Sequence, residues 1–488
     1  MNLTRRALGA NLTAAWAVAA QVPAGGAPLA IGGRRELFVD RALVDEARGV
    51  EFRLGTAVDA GPVIHFNQPW EGRFCGYTTI LQEASLYRMY YRGVPTAGND
   101  GNDAESTCYA ESLDGKTWKR PTLNLFEVHG QRRNNVILAH SAPYSHNFSP
   151  MLDQRPGVDA SERFKALAGV HKTGLMAFVS ADGLRWKKLR AQPVFPPPSA
   201  FSLDSQNISF WSAAERQYVL YFRTWKKIGN TNYRWVSRAT SDDFLTWSPP
   251  VEISYGDAPP EHLYTNQTAP YFRAPHIYAG ICARFMPGRQ IVSQAQAAEL
   301  RVDPQYFKDC SDAVLVTSRG GASCTRTFME AFLRPGVGLE NWVSRSNYPA
   351  LNLVQTSPST MSFYVNRNYG QPTANLQRYE LRLDGLASIR AGYQGGELLT
   401  KPLQFEGSRL ELNFSTSAPG SVRVELQDAA GHPLPGHSLA DAKELIGDEI
   451  GRVYAWKSGE SVAALKGQPV RIRFVLKDAD IYAFQFKP

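Results

Sequence analysis

The chain has 488 residues, 43% of them hydrophobic and 20% charged, a composition that suits a folded protein and a length that exceeds one ordinary core. The formal net charge of +8 raises a nucleic-acid partner. The Lys and Arg residues are scattered through strand-like runs and turns, with only short pairs such as Lys187-Lys188 and Lys226-Lys227, so no phosphate-tracking stripe forms and nucleic acid is set aside. Aromatics at 11%, with 40 Gly and 31 Pro, point to an all-β chain rich in turns.

In chain order, Thr4-Arg5-Arg6-Ala7-Leu8 resembles a twin-arginine export signal and is followed by small apolar residues from Ala10 to Ala20. Residues 1–27 are read as a signal peptide that sends the protein to the periplasm or the exterior. The apolar stretch is too short and Ala-rich for a membrane span, so no integral membrane segment is expected in the mature chain. The five cysteines, Cys75, Cys108, Cys282, Cys310 and Cys324, are odd in number and lack metal-ligand spacing. No cofactor and no metal are expected, and a Cys310 to Cys324 disulfide stays open.

Glu36-Leu37-Phe38-Val39-Asp40 reads as an N-terminal strand that closes a ring, with Asp40 in a structural salt bridge, and Pro62 to Trp70 as an approach segment. Then a motif recurs: Ser112-Leu113-Asp114-Gly115-Lys116-Thr117-Trp118, Ser180-Ala181-Asp182-Gly183-Leu184-Arg185-Trp186, and Ser241-Asp242-Asp243-Phe244-Leu245-Thr246-Trp247. Three strand-like runs precede each copy, and the run after the Trp supplies a fourth. Such four-stranded groups are propeller blades. Asp114, Asp182 and Asp242 are assigned to the repeat turns, because an active site needs a residue once.

A fourth group contains Ala269 to Phe272, Ile277 to Ile281 and Ala313 to Arg319, with an insertion from Pro287 to Cys310. A fifth spans Gln355 to Asn366 and Leu376 to Leu383. The expected fold class is all-β: a five-bladed β-propeller over residues 28–392, followed by a C-terminal β-sandwich over residues 393–488. Period-two alternation in runs such as Ser421 to Leu426 supports the sandwich, and Gly395-Gly396 marks the seam.

Five blades, the Ser-x-Asp-Gly-x-x-Trp hairpin and the C-terminal sandwich together resemble the invertase-like glycoside hydrolases, families 32, 43 and 68 in the broad sense. Leu37-Phe38-Val39-Asp40, Pro69-Trp70-Glu71-Gly72, Arg88-Met89-Tyr90-Tyr91-Arg92-Gly93, Tyr109-Ala110-Glu111-Ser112, Arg273-Ala274-Pro275-His276-Ile277-Tyr278 and Glu330-Ala331-Phe332-Leu333-Arg334-Pro335-Gly336 are similar to a secreted bacterial family 32-like branch. The resemblance implies glycosidase activity on an oligosaccharide or polysaccharide. Its Asn-Asp-Pro-Asn-Gly, Arg-Asp-Pro and Glu-Cys motifs are absent here, so the catalytic carboxylates are sought by position.

Glycoside hydrolysis uses two carboxyl groups flanking the bond. Asp204, just before the first strand of the third blade, is the leading candidate as base or tuning carboxylate; the alternative is a turn Asp capping its own backbone. Glu71, Glu261 and Glu330 are candidate acids. Glu71 follows Trp70, a ring suited to stacking on a sugar. Glu330 sits in a semi-apolar run that would desolvate it, or pairs with Arg326 or Arg334. His146, Asn147, Asn207, Asn266, Arg273, His276 and Arg319 are read as sugar-binding groups. The expected function is an exported glycoside hydrolase acting on a plant or algal glycan. The alternatives are a non-catalytic carbohydrate-binding propeller and a propeller lyase acting on acidic sugars, the latter suggested by Arg residues near the funnel.

Overall fold

The computed structural model describes residues 27–96, 98 and 100–488; the leader expected over residues 1–27 lies outside the described residues except for Ala27. The chain forms a five-bladed β-propeller followed by a C-terminal β-sandwich. The first blade is Gly76–Glu83, Leu86–Gly93, Ser106–Ser112 and Val136–Leu138, each strand hydrogen-bonded to the next. Ser149–Leu152, Phe164–Val170, Gly174–Ser180 and Lys187–Lys188 make the second, and Ile208–Ser212, Gln217–Ile228, Thr231–Ser241 and Val251–Glu252 the third.

In the fourth blade the inner strand is split into Leu263–Thr265 and Ala269–Tyr271, both paired with Ala274–Met286, which pairs in turn with Cys310–Ser318. The insertion before Cys310 carries a single helical turn and a half, Gln294–Glu299, started by a capping box between Ser293 and Gln296. The fifth blade has Tyr348–Pro349 and Val354–Gln355 against Thr360–Arg367, then Asn375–Arg382.

The fifth blade is completed by Val58–His65, antiparallel to Asn375–Arg382 with His65 opposite Asn375. The ring is therefore closed by this segment, and not by the run ending at Asp40. Gly61 at φ +83° and the proline after it shift the register. An outermost strand tolerates both, since a Pro there forfeits no ladder bond on its free side.

The repeated motif forms the turn between the third and fourth strands of its blade. Gly183 N donates to Ser180 Oγ at 2.9 Å, and Asp182 Oδ1 accepts from the amides of Leu184 and Arg185, both at 2.8 Å. Ser112 with Asp114 and Ser241 with Asp243 repeat the pattern. The third-blade turn thus uses Asp243, not Asp242. Phe244 takes the left-handed φ of +67° that Gly115 and Gly183 supply elsewhere.

The C-terminal strands Gly396–Thr400, Arg409–Gln427, Asp448–Val453 and Arg471–Lys487 form one sheet with Ala387–Ala391 and with Arg35–Leu37, Val44–Arg48 and Val50–Leu54 from the N-terminal segment. Phe38, Trp456, Phe474 and Phe484 are central in its apolar core. A second apolar cluster joins Leu37, Val39 and Ala483 to Ile277 and Phe363 of the fourth and fifth blades, so the two modules share buried surface. All five cysteines are buried and free, Cys310 and Cys324 included.

Candidate active site in the propeller funnel

The inner strand of each blade starts at the funnel mouth, and the antiparallel second strand ends there. Gly76 pairs with Arg92, and Leu263 with Arg284. Arg223 ends the apolar run of the third blade's second strand, and Arg367 ends that of the fifth. Four of the five blades therefore deliver a guanidinium to the same level. Non-glycine residues at positive φ cluster at this level too: Tyr77 at +51°, Asn147 at +48°, Leu203 at +64° and Arg345 at +60°. Such conformations cost of order 1–3 kcal/mol each and persist where the surroundings impose them, functional sites above all.

Arg284 and Arg367 are fully engaged. Arg284 binds Asp312 at 2.6 Å and Glu261 at 2.7 Å, and Arg367 donates to Asn347 Oδ1 and to the Pro335 carbonyl. The others converge on tyrosines. Arg223, Arg234 and Arg345 lie 5.0, 5.1 and 5.6 Å from the ring centre of Tyr264. Arg345 also packs on Tyr306 and Tyr369, and Arg92 lies 4.6 Å from the ring centre of Tyr77 while donating to the Tyr369 hydroxyl at 3.3 Å. Burial pushes the Tyr264 phenol up, but Arg345, Arg223 and Arg234 overcome this and bring it down to about 8.

Asp204 belongs to this cage as the ion-pair partner of Arg223. His146 and Asn147 adjoin it. Asn147 Nδ2 is a donor, so His146 Nε2, 2.9 Å away, accepts, and His146 Nδ1–H donates to Glu105 at 2.9 Å. Asn147 Oδ1 accepts from Arg92 at 3.0 Å. Burial raises the Glu105 carboxyl, and the hydrogen bond from His146, the charge of Arg92 and the Gly101 amide hold it below the ordinary value. Asp100, Glu105 and His146 bring ligand atoms within 4.8 Å of one another, a spacing that fits a cation. Both His146 nitrogens already have partners, so a cation there would displace Asn147.

The other expected residues lie elsewhere. Glu71 is buried in the first blade, held by Arg120 at 2.7 Å and by the Tyr91 hydroxyl at 2.6 Å. Trp70 is only 5% exposed and donates to Asn135 at 2.8 Å, so it presents no face to a sugar. Glu330 is exposed rather than desolvated, and Arg326 pairs with Glu261 instead. Arg273 pairs with Asp384, His276 with Glu36, and Arg319 with Glu36 and Asp40. These three tie the fourth blade to the sandwich module, a role their positions in sequence did not reveal. Asn207 donates to the Leu203 carbonyl at 3.1 Å, bracing the loop that carries Asp204. Asn266 Oδ1 accepts from the Thr268 hydroxyl at 2.6 Å, bridging the two halves of the fourth blade's inner strand.

Glu261 lines a cleft of about 970 Å³ with Tyr233, His262, Arg284, Asp312 and Trp342. The cleft adjoins the cage through His262, whose Nδ1 accepts from the Arg234 amide at 3.2 Å. By contrast, the void among Tyr77, Arg345, Tyr348 and Tyr369 is only about 10 Å³, so a chain of sugars fits the cleft and not the funnel floor. The signal missed in the sequence was the Arg at the end of the apolar second strand in four of the five blades, together with Tyr264, unremarkable in its own run.

No known family model matches the chain, and no curated protein does. Among solved structures, a glycoside hydrolase is similar over 67% of this chain and 92% of its own, at 10% identity and a TM-score of 0.43. A fructofuranosidase from Schwanniomyces occidentalis complexed with fructose is similar over 87% of this chain and 97% of its own, at 11% identity and a TM-score of 0.38. A glycosyl hydrolase from Bacteroides ovatus is similar over 67% and 94%, at 15% identity and a TM-score of 0.37. The reading of the site rests on the residues of this chain alone.

Proposed function

We propose that the protein is a carbohydrate-active enzyme that cleaves a glycosidic bond of a plant or algal glycan at the mouth of its propeller. One observation carries this reading: Arg223 simultaneously pairs with the Asp204 carboxylate and packs on the ring of Tyr264, joining an anionic group and a proton-transfer group in one buried cage. In hydrolysis the oxygen of water bonds to the anomeric carbon, the glycosidic C–O bond breaks, and the leaving oxygen takes a proton. Asp204, as the anionic partner of Arg223, serves as base or stabilises the developing oxocarbenium charge. The Tyr264 phenol, near 8, is protonated at neutral pH and close enough to that range to give up its proton and regain it. Glu261, facing the adjoining cleft, is the second carboxylate within reach of a bound chain.

The lowered Tyr264 phenol also favours a second reaction class, β-elimination. There a base takes the proton beside a sugar carboxylate, the C–O bond to the leaving sugar breaks, and a carbon–carbon double bond forms. Screening polysaccharides and aryl glycosides in ¹⁸O-labelled water separates the two. Label in the new reducing end identifies hydrolysis, and an ultraviolet-absorbing unsaturated end identifies elimination. Asp204→Asn is expected to lower the rate by about a hundredfold or more, and an unchanged rate would remove Asp204 from the mechanism.

Export belongs to the same proposal and rests on Arg5-Arg6 and the apolar residues after them. A reporter fused behind residues 1–27 is expected outside the cytoplasm, and a reporter carrying Arg5→Lys with Arg6→Lys is expected to stay inside.

A further inference from the structure

We propose that the cage of Arg92, Arg223, Arg234 and Arg345 receives the carboxylate of a uronic acid residue, which makes an acidic glycan the substrate class. The inference rests on the reading of the funnel as a glycan-cleaving site and adds to it what the sugar must carry.

Positive charge in the cage exceeds the negative charge paired with it. Arg367 apart, which meets neutral oxygens, buried guanidiniums elsewhere in the fold are matched to carboxylates, among them Arg35 to Asp384 and Glu411, Arg120 to Glu71, and Arg319 to Glu36 and Asp40. Among the described residues of the cage, only Arg223 has such a match, to Asp204. Arg92 hydrogen-bonds neutral acceptors, namely Asn147 Oδ1, the Phe74 carbonyl and the Tyr369 hydroxyl, while the Glu105 and Asp100 carboxylates act on it through space without a direct ion pair among the described residues. Arg345 reaches the Tyr306 hydroxyl at 3.5 Å, and Arg234 packs on Trp225, Tyr264 and Phe285 without an ion pair among the described residues.

Several donors are also unsatisfied. Nε and Nη1 of Arg223, 3% exposed, and Nε of Arg92, 7% exposed, have no hydrogen-bond partner among the described residues, and neither does Nε of Arg234. Buried donors without acceptors cost free energy. A cluster of like charges adds to that cost, as the lowered basicity of Arg234 shows: burial comes first among its causes, and the charges of Arg223 and Arg345 contribute. A bound carboxylate relieves both, accepting several N–H groups and cancelling one charge. The cleft beyond His262 has room for the neighbouring sugars along the chain.

The test is calorimetric titration of the full chain with galacturonic acid, its methyl ester, galactose and galactose 6-sulfate. The acid is expected to bind about tenfold or more tightly than the ester and the neutral sugar, and to weaken as salt is raised. Arg234→Met is expected to remove that preference, and Arg234→Lys, which keeps the charge, to restore part of it. Circular dichroism melting of both variants checks folding. Equal binding of galactose and galacturonic acid overturns the proposal, as does binding of the sulfate ester alone. Binding of the acid without cleavage of any glycan upholds the proposal and refutes the enzymatic reading, whereas cleavage of neutral glycans without acid binding does the reverse.

Discussion

Replacing Arg345 with Met removes one of the three positive charges facing Tyr264 while keeping a side chain of similar reach. The guanidinium stands 5.6 Å from the centre of the ring. At an effective dielectric of about 20, that separation is worth about 3 kcal/mol between a phenolate and a cation, or about two pKa units. The phenol should therefore rise from about 8 to about 10 in Arg345→Met, and stay near 8 in Arg345→Lys. Carbon NMR of protein labelled at tyrosine Cζ follows the titration, with Tyr264→Phe assigning the resonance. If Tyr264 transfers the proton in catalysis, the basic limb of the rate profile moves upward by the same interval. A Tyr264 midpoint that is unmoved in Arg345→Met would refute the electrostatic account. A moved midpoint with an unmoved rate profile would take Tyr264 out of the reaction.

Three further outcomes follow from the rest of the fold. Burial raises the Glu36 carboxyl, but the hydrogen bond from His276 and the charge of Arg319 more than offset it, lowering the group from 4.5 to about 2. A carboxyl lowered in the folded state stabilises the protein above its unfolded value and loses that contribution as pH falls from about 4.5 towards 2. The contribution is about 3 kcal/mol, and denaturant titrations across that range should show it in the wild type and not in Glu36→Gln. Asp182→Ala removes the acceptor for two turn amides and should cost about 1 kcal/mol in denaturant midpoint, with the cleavage rate unchanged because the turn lies at the end of its blade opposite the mouth. Gly280→Ala puts a methyl 2.5 Å from the Gln267 backbone across the fourth blade and should lower stability by about 1–3 kcal/mol in thermal or denaturant unfolding.

The blade count was legible because local chemistry writes it into the chain. A Ser and an Asp two residues on define the same hairpin in the first three blades, since their hydrogen bonds close within one turn, and the fourth and fifth follow from strand-like runs of the same kind. The closing strand was not legible. Val58–His65 carries Gly61 and Pro62, which read locally as an irregular approach, and only its partner Asn375–Arg382, more than three hundred residues away, makes it a strand.

The same division separates the expected site from the observed one. Asp204, His146 and Asn147 lie beside the arginines of the mouth, each in the segment that leads into an inner strand, a position that sequence order reports. Trp70, Glu71, Arg273, His276 and Arg319 share that kind of position or a suggestive composition, yet each is claimed by a partner from a distant segment. The sequence by itself determined a propeller with its mouth at the start of each inner strand, because strand periodicity and turn chemistry act over a few residues. Only the tertiary structure decided which charges there are neutralised. Arg223 and Arg284 found carboxylates, whereas Arg234 and Arg345 gathered around tyrosines instead, because ion pairing depends on distances of a few ångströms between segments that are far apart in the chain.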